Sequence, residues 1–218
     1  MAMKLGLVHT SATLVPVFAE LLQSYGPRVA AFNIVDDSLI KDVIQTGGVT
    51  PATARRVVDQ VGLAERAGAE AILVTCSSIG DAVELAARLC RVPVVRVDEA
   101  MADKAVAIGG RVGVLATLPT TLRPTEDLVR RRADRAGASI TVAAQLVEGA
   151  FDALMAGDPA THDAAVLAAL RSLMRETDVV LLAQASMARV AAGLPQERVP
   201  VLASPPLAVA DLAARMGW

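Results

Sequence analysis

The same short stretch of sequence occurs twice in this chain, about 107 residues apart, and that spacing limits the folds open to it. Leu5-Gly6-Leu7-Val8-His9-Thr10 corresponds to Val112-Gly113-Val114-Leu115-Ala116-Thr117 at an offset of 107. Ala71-Ile72-Leu73-Val74-Thr75-Cys76 corresponds to Val179-Val180-Leu181-Leu182-Ala183-Gln184 at 108, and Arg91-Val92-Pro93-Val94 to Arg198-Val199-Pro200-Val201 at 107 again. Three correspondences at nearly one offset indicate a duplicated module. The copies differ at one chemically decisive place: a thiol, Cys76, stands where the second copy has an amide, Gln184.

Each repeated stretch is a short aliphatic run, and such runs alternate with longer Ala/Leu/Arg segments of helical period. That is the pattern of a parallel sheet with crossover helices. It predicts strands at 4–9, 28–34, 70–75, 92–97, 111–116, 139–144, 178–183 and 199–203. Helices are predicted at 12–25, 51–67, 79–90, 99–108, 120–136, 160–175 and 206–216. Thr50 before Pro51 reads as a helix start, and Gly26, Gly68, Gly109 and Gly137 as helix stops. The expected fold is α/β, with two similar lobes, each a short parallel sheet flanked by helices, related by a pseudo-two-fold axis with an interlobe cleft. The first lobe takes 1–98 plus 207–218 and carries Cys76; the second takes 99–206 and carries Gln184.

Hydrophobic residues form 54% of the chain, but no apolar run reaches the roughly 18 residues a spanning helix needs. No apolar signal segment opens the sequence, so the expectation is a soluble, cytoplasmic protein without a membrane partner. A net charge of −2 and only one Trp, one Tyr and three Phe offer neither a basic footprint nor a stacking platform for nucleic acid. Cys76 and Cys90 lack the spacing of a disulfide framework or zinc site, and the carboxylate pairs Asp36-Asp37 and Asp98-Glu99 have no His or Cys companions at metal-ligand spacing. Gly47-Gly48 and Gly109-Gly110 do not match a phosphate loop, so nothing requires a nucleotide. Homo-oligomerisation is open, since the Ala/Leu-rich helices at 79–90 and 164–174 could pair across a two-fold axis.

Ligands of open parallel sheets bind beyond the carboxyl ends of the strands. Four loops then carry the candidate site: His9-Thr10-Ser11, Thr75-Cys76-Ser77-Ser78, Thr117-Leu118-Pro119-Thr120-Thr121 and Gln184-Ala185-Ser186-Met187. Cys76 sits where a strand turns into a helix, a setting expected to lower a thiol pKa toward neutrality and make it a proton-transfer group. Thr10, Ser11, Thr75, Ser77, Ser78, Thr117, Thr120, Thr121 and Ser186, with helix-start N–H groups, suit a small carboxylate. Asn33 joins them as a substrate-binding candidate, and Asp36 is a further candidate for the same region, following the strand that carries Asn33. His9 reads either as a substrate donor or second acid–base group, or as hydrogen-bonded structure. Cys90 reads as packing, and His162 as the exposed first turn of a helix.

With Thr75-Cys76-Ser77-Ser78 at one strand end and a matching strand end in a duplicated lobe, the sequence resembles the aspartate/glutamate/hydantoin racemase superfamily over essentially its whole length. The resemblance implies two similar α/β lobes with the site between them, no cofactor, and one cysteine from each lobe acting on opposite faces of a carbon acid. The first of these is Cys76. At the second position Ala183-Gln184-Ala185-Ser186-Met187-Ala188 departs from the Gly-Cys-Ala-Gly-Met-Ala type of hydantoin racemases. Glutamine has no proton to exchange near neutral pH, so two-base racemisation through position 184 is excluded, while its amide can donate to a carboxylate or enolate oxygen. The superfamily also holds arylmalonate decarboxylase and maleate isomerase. The expected function is therefore a one-thiol isomerase, racemase or decarboxylase acting on a small carboxylic acid through proton transfer or nucleophilic attack by Cys76, and the alternative is a non-catalytic small-carboxylate binding or sensing protein.

Overall fold

The computed structural model describes residues 3–192 and 198–218. The chain divides into two compact units, one of the described residues up to Val97 together with Pro205–Trp218, the other of the described residues of Asp98–Ser204. The first unit contains β1 (Lys4–His9), α1 (Leu14–Tyr25), β2 (Ala30–Val35), α2 (Ser38–Thr46), α3 (Pro51–Arg66), β3 (Ala71–Val74), α4 (Gly80–Ala87) and β4 (Val94–Arg96). The second contains α5 (Glu99–Ile108), β5 (Gly110–Ala116), α6 (Pro119–Ala136), β6 (Ile140–Leu146), α7 (Ala150–Met155), α8 (Pro159–Leu173), β7 (Val179–Leu182), α9 (Ala188–Ala192) and β8 (Val201–Ala203). The last helix, α10 (Ser204–Met216), carries the chain back into the first unit.

Each unit is a four-stranded parallel sheet, ordered β2-β1-β3-β4 in the first and β6-β5-β7-β8 in the second. The α/β reading of the sequence is thus the observed fold. The two sheets repeat each other bond for bond. Thr75 N–H donates to the Val8 carbonyl at 3.0 Å, as Ala183 N–H does to Leu115 at 3.0 Å. Ile72 N–H meets the Pro93 carbonyl at 2.8 Å, as Val180 N–H meets Pro200 at 2.9 Å. Even the strand entrances agree: an acidic side chain, Glu70 or Asp178, accepts the N–H of Lys4 or Arg111 at 2.7 Å.

The alternation of side chains along a strand sends β1 residues to both faces. Leu5 and Leu7 pack with Phe18 and Leu22 of α1 and with Ala208, Val209 and Leu212 of α10. Val8 joins Ile72 and Val74 of β3 on the other face, against Leu39, Val43, Val57 and Val61. β3, fully buried along all four residues, anchors this core. Each Val, Ile or Leu it removes from water contributes about 1.5–3 kcal/mol. Gly6 is required for close approach of α3: a Cβ there would lie 3.1 Å from that of Ala64, and its counterpart Gly113 lies equally tight under Leu173.

Three helices go beyond the sequence-based elements: α2, α7 and α9. The helix signals near Thr50, Gly109 and Gly137 behave as expected. Thr50 accepts the Thr53 N–H at 3.1 Å, and Gly109 and Gly137 end α5 and α6 with positive φ. No helix among the described residues is long and apolar enough to cross a membrane.

Trp218, the single tryptophan, lies over Gly26, where an added Cβ would sit 2.3 Å from the indole Cε3. Gly26→Ala should displace the indole, destabilise the first unit by about 1–3 kcal/mol and shift tryptophan emission to the red. A variant with the parent emission maximum and melting temperature would show that the ring is not seated there.

Candidate active site

Parallel pairing brings the carboxyl ends of β1 and β3 to one edge of the first sheet. The ladder closes at Thr75, after which Cys76 stays extended (φ −131°, ψ 117°) and Ser77–Ile79 turn as a 3₁₀ segment into α4. The sulfur therefore stands beside the first N–H groups of that turn. The Thr10 hydroxyl, the N–H groups of Ser78 and Ile79, and the Ser78 hydroxyl all pull its pKa down. Burial is the stronger influence and leaves the thiol above its ordinary value. This corrects the expectation of a thiol acidified toward neutrality: a helix start supplies the donors, but desolvation outweighs them.

His9 ends β1 and is completely buried. Its Nδ1 lies 2.8 Å from the Thr75 hydroxyl and its Nε2 2.9 Å from the Asn33 side-chain oxygen. The Thr75 O–H has a second acceptor, the Val8 carbonyl at 3.2 Å, so the imidazole tautomer decides which of the two it serves. Burial lowers the His9 pKa against an opposing pull from Asn33, which favours the neutral ring. Of the two readings of His9, this geometry suits the structural one: both nitrogens are engaged in tying β1 to β2 and β3. Asn33 and Thr75 are occupied in the same network, whereas Thr10, Ser77 and Ser78 are buried at the strand ends around the thiol. Ser11 bonds the neighbouring Thr13 hydroxyl at 2.7 Å on the exposed side.

The second unit uses the same backbone for a different group. Gln184 ends β7 extended (φ −123°, ψ 140°) before a 3₁₀ turn of Ala185–Met187 that includes Ser186. Its Oε1 accepts the Thr117 N–H at 2.5 Å and the Thr117 hydroxyl at 3.0 Å. A main-chain N–H can only donate, so the oxygen is fixed toward Thr117 and the amide NH₂ is left as the available face of Gln184. Thr117 is the repeat counterpart of Thr10, and each threonine serves the functional group of its own unit. Beyond Leu118, Thr120 and Thr121 form the first turn of α6; Thr121 is buried, and the buried Thr120 hydroxyl has no partner among the described residues.

The remaining polar candidates are placed elsewhere. Asp36 is saturated: Ser38 N–H and O–H donate to one oxygen, and Arg56 and Gln60 to the other. Burial raises its pKa, but these donors outweigh it and hold the carboxylate below its usual range. Asp98 is fully buried at the start of α5. Cys90 packs on the core of the first unit, its pKa raised by burial and by Glu65. His162 is a correction. It is completely buried rather than exposed, with Nδ1 2.6 Å from Asp163, whose carboxylate is clasped by Arg189. Among the described residues no group of three or more His, Cys, Asp or Glu could hold a metal ion. The sequence pattern does not single out Arg96, whose buried side chain pairs with Glu84 beside Gly80 at the start of α4. Its only signal is an unbalanced repeat, Arg96 against Ala203.

A family model described as Asp/Glu/Hydantoin racemase matches residues 5–212. Among solved structures, a glutamate racemase from Bacillus anthracis superposes with a TM-score of 0.74 at 16% identity, covering 99% of this chain and 82% of that one. An allantoin racemase from Klebsiella pneumoniae gives 0.69 at 17% identity, covering 99% and 89%. A mutant of arylmalonate decarboxylase in a sulfate-associated form gives 0.60 at 18% identity, covering 98% and 93%. At such identities the likeness is one of fold. No curated protein sequence matches the chain.

In a Cys90→Ser background, the pH profile of Cys76 alkylation should have its midpoint above the ordinary thiol value of about 8.5. Thr10→Val should move it higher still, because a donor to the thiolate is lost. A midpoint near neutrality would contradict the dominance of burial. For His9 the sign is opposite. Its folded pKa is depressed, so its contribution to stability is complete above about pH 6.5 and is lost as pH falls through the folded value. Melting temperature should therefore fall less steeply on acidification in His9→Gln than in the parent; equal slopes would remove His9 from the account.

Proposed function

The chain belongs to the Asp/Glu/hydantoin racemase family, and from that premise we propose a cofactor-independent enzyme in which Cys76 transfers a proton at the α-carbon of a small carboxylic acid. One observation carries this reading: the end of β3 presents a thiol, Cys76, ringed by the Thr10 and Ser78 hydroxyls and by the N–H groups of Ser78 and Ile79. Thr10, Ser77 and Ser78, buried around the thiol, supply hydroxyls for the carboxylate and the developing enolate oxygen. One such donor contributes about 2.7–4 kcal/mol of transition-state stabilisation.

A thiol kept protonated by burial is suited first to giving a proton. In a decarboxylation, the carbon–carboxylate bond breaks, its electron pair enters the enolate, and carbon dioxide leaves. The S–H bond of Cys76 then breaks as the new C–H bond forms, and solvent returns the proton to sulfur. In an isomerisation or racemisation the thiolate would instead take the α-proton, and a group other than Gln184 would have to supply a proton to the opposite face. The raised thiol pKa also supports a second reading, a small-carboxylate binding protein that keeps the donors without turnover.

Solvent deuterium incorporation and carbon dioxide release, measured across a panel of substituted malonates, α-amino acids and hydantoins, separate the two. We expect labelled product with at least one class and its loss in Cys76→Ala. Ligand binding by calorimetry without exchange in any class would establish the binding protein, and undiminished turnover by Cys76→Ala would end the proton-transfer reading.

A further inference from the structure

Arg96 ends β4 with its side chain only 4% exposed, although arginine is among the residues least often buried. Its register partner on β3 is Val74, two residues before Cys76. From there the guanidinium reaches the first residue of α4. A Cβ on Gly80 would lie 2.2 Å from both Cζ and Nη2, so the guanidinium occupies the space a side chain would take. Glu84, one turn further along α4, holds Nη1 at 2.5 Å, and Asp81 stands 3.9 Å away. Burying a cation in this way is costly unless it is paired, and the pairing ties β4 to the opening turn of α4.

The second unit serves as an internal control. In the repeat Gly80 corresponds to Ala188, Glu84 to Ala192 and Arg96 to Ala203. All three parts are missing together, in the copy whose strand ends in Gln184. That side chain turns to Thr117 instead of drawing on the N–H groups of its own turn. The glycine occurs where an arginine needs its space and an alanine where it does not.

We propose that Arg96 is a positioning residue for Cys76: seated on Gly80 and tied to Glu84, its guanidinium fixes the junction between the 3₁₀ turn and α4 so that the Ser78 and Ile79 N–H groups converge on sulfur. The proposal rests on the reading of Cys76 as the reacting group. Arg96 touches no substrate; it acts through the backbone of residues 77–80. Without the clamp the turn relaxes, the N–H groups lose their aim and the thiolate loses two of its donors.

The test uses the full chain with Cys90→Ser, and reads Cys76 alkylation by iodoacetamide against pH, with circular dichroism and melting temperature as the check on folding. Arg96→Ala should alkylate about three- to tenfold more slowly at pH 8. Arg96→Lys, which keeps the charge but not the flat contact with Gly80, should recover only part of the rate. The double variant Gly80→Ala/Arg96→Ala, which installs the residues of the second copy, should melt above Gly80→Ala alone yet alkylate as slowly as Arg96→Ala. A folded Arg96→Ala with the parent profile would overturn the proposal, as would a double variant that regains the parent rate. Because the readout needs no turnover, inactivity of the parent toward every carbon acid would count against the proposed reaction and leave the positioning result standing.

Discussion

The pairing of a buried central strand with its parallel neighbour, β3 on β1 and β7 on β5, is the constraint on which the molecule depends. All four residues of β3 and all four of β7 are buried, so these strands cannot slip by a residue without turning their opposite-facing side chains into the wrong layer. The last ladder bonds, from Thr75 to Val8 and from Ala183 to Leu115, then fix where each chain leaves the sheet. Cys76 and Gln184 are the residues that follow those bonds. The position of the chemistry is thus a by-product of core packing, and duplication of the core duplicated the position.

What stands at that position is free to differ, and the two copies show how much a single side chain reorganises. A short thiol remains near the N–H groups of its own turn and needs that turn held rigid. A longer amide reaches past the turn to the neighbouring strand end, where Thr117 fixes its orientation. One backbone thus supports a site set by the turn and a site set by the adjacent loop.

Elements bounded by strong local signals were legible in the sequence: β1 over Lys4–His9 and α5 over Glu99–Ile108 fall where the aliphatic run and the Gly109 stop place them. α2 was not, because its start depends on Asp36 bonding Ser38, and Asp36 is held by Arg56 and Gln60 from the next helix. His162 was misread from its proximity to Asp158-Pro159, although His162, Val166, Leu170 and Leu173 form one buried stripe along α8. The location of Cys76 was readable from the repeat; its protonation was not. Helix-start donors are visible in sequence order, whereas desolvation arises from segments distant in the chain.

The return of α10 to the first unit bears on the order in which the protein can assemble. Residues 98–204 form an uninterrupted unit whose sheet needs nothing from outside that stretch. The first unit lacks Ala208, Val209 and Leu212, which cover the Leu5, Leu7 and Leu73 face of its sheet, until the whole second unit has been made. During synthesis the first unit, begun before the second, therefore closes its core after it. Its Phe18 and Leu22 side chains wait beside an open apolar surface for as long as translation of the second unit takes. Within that interval, the time at which the thiol-bearing unit can complete its core is set by the rate of translation.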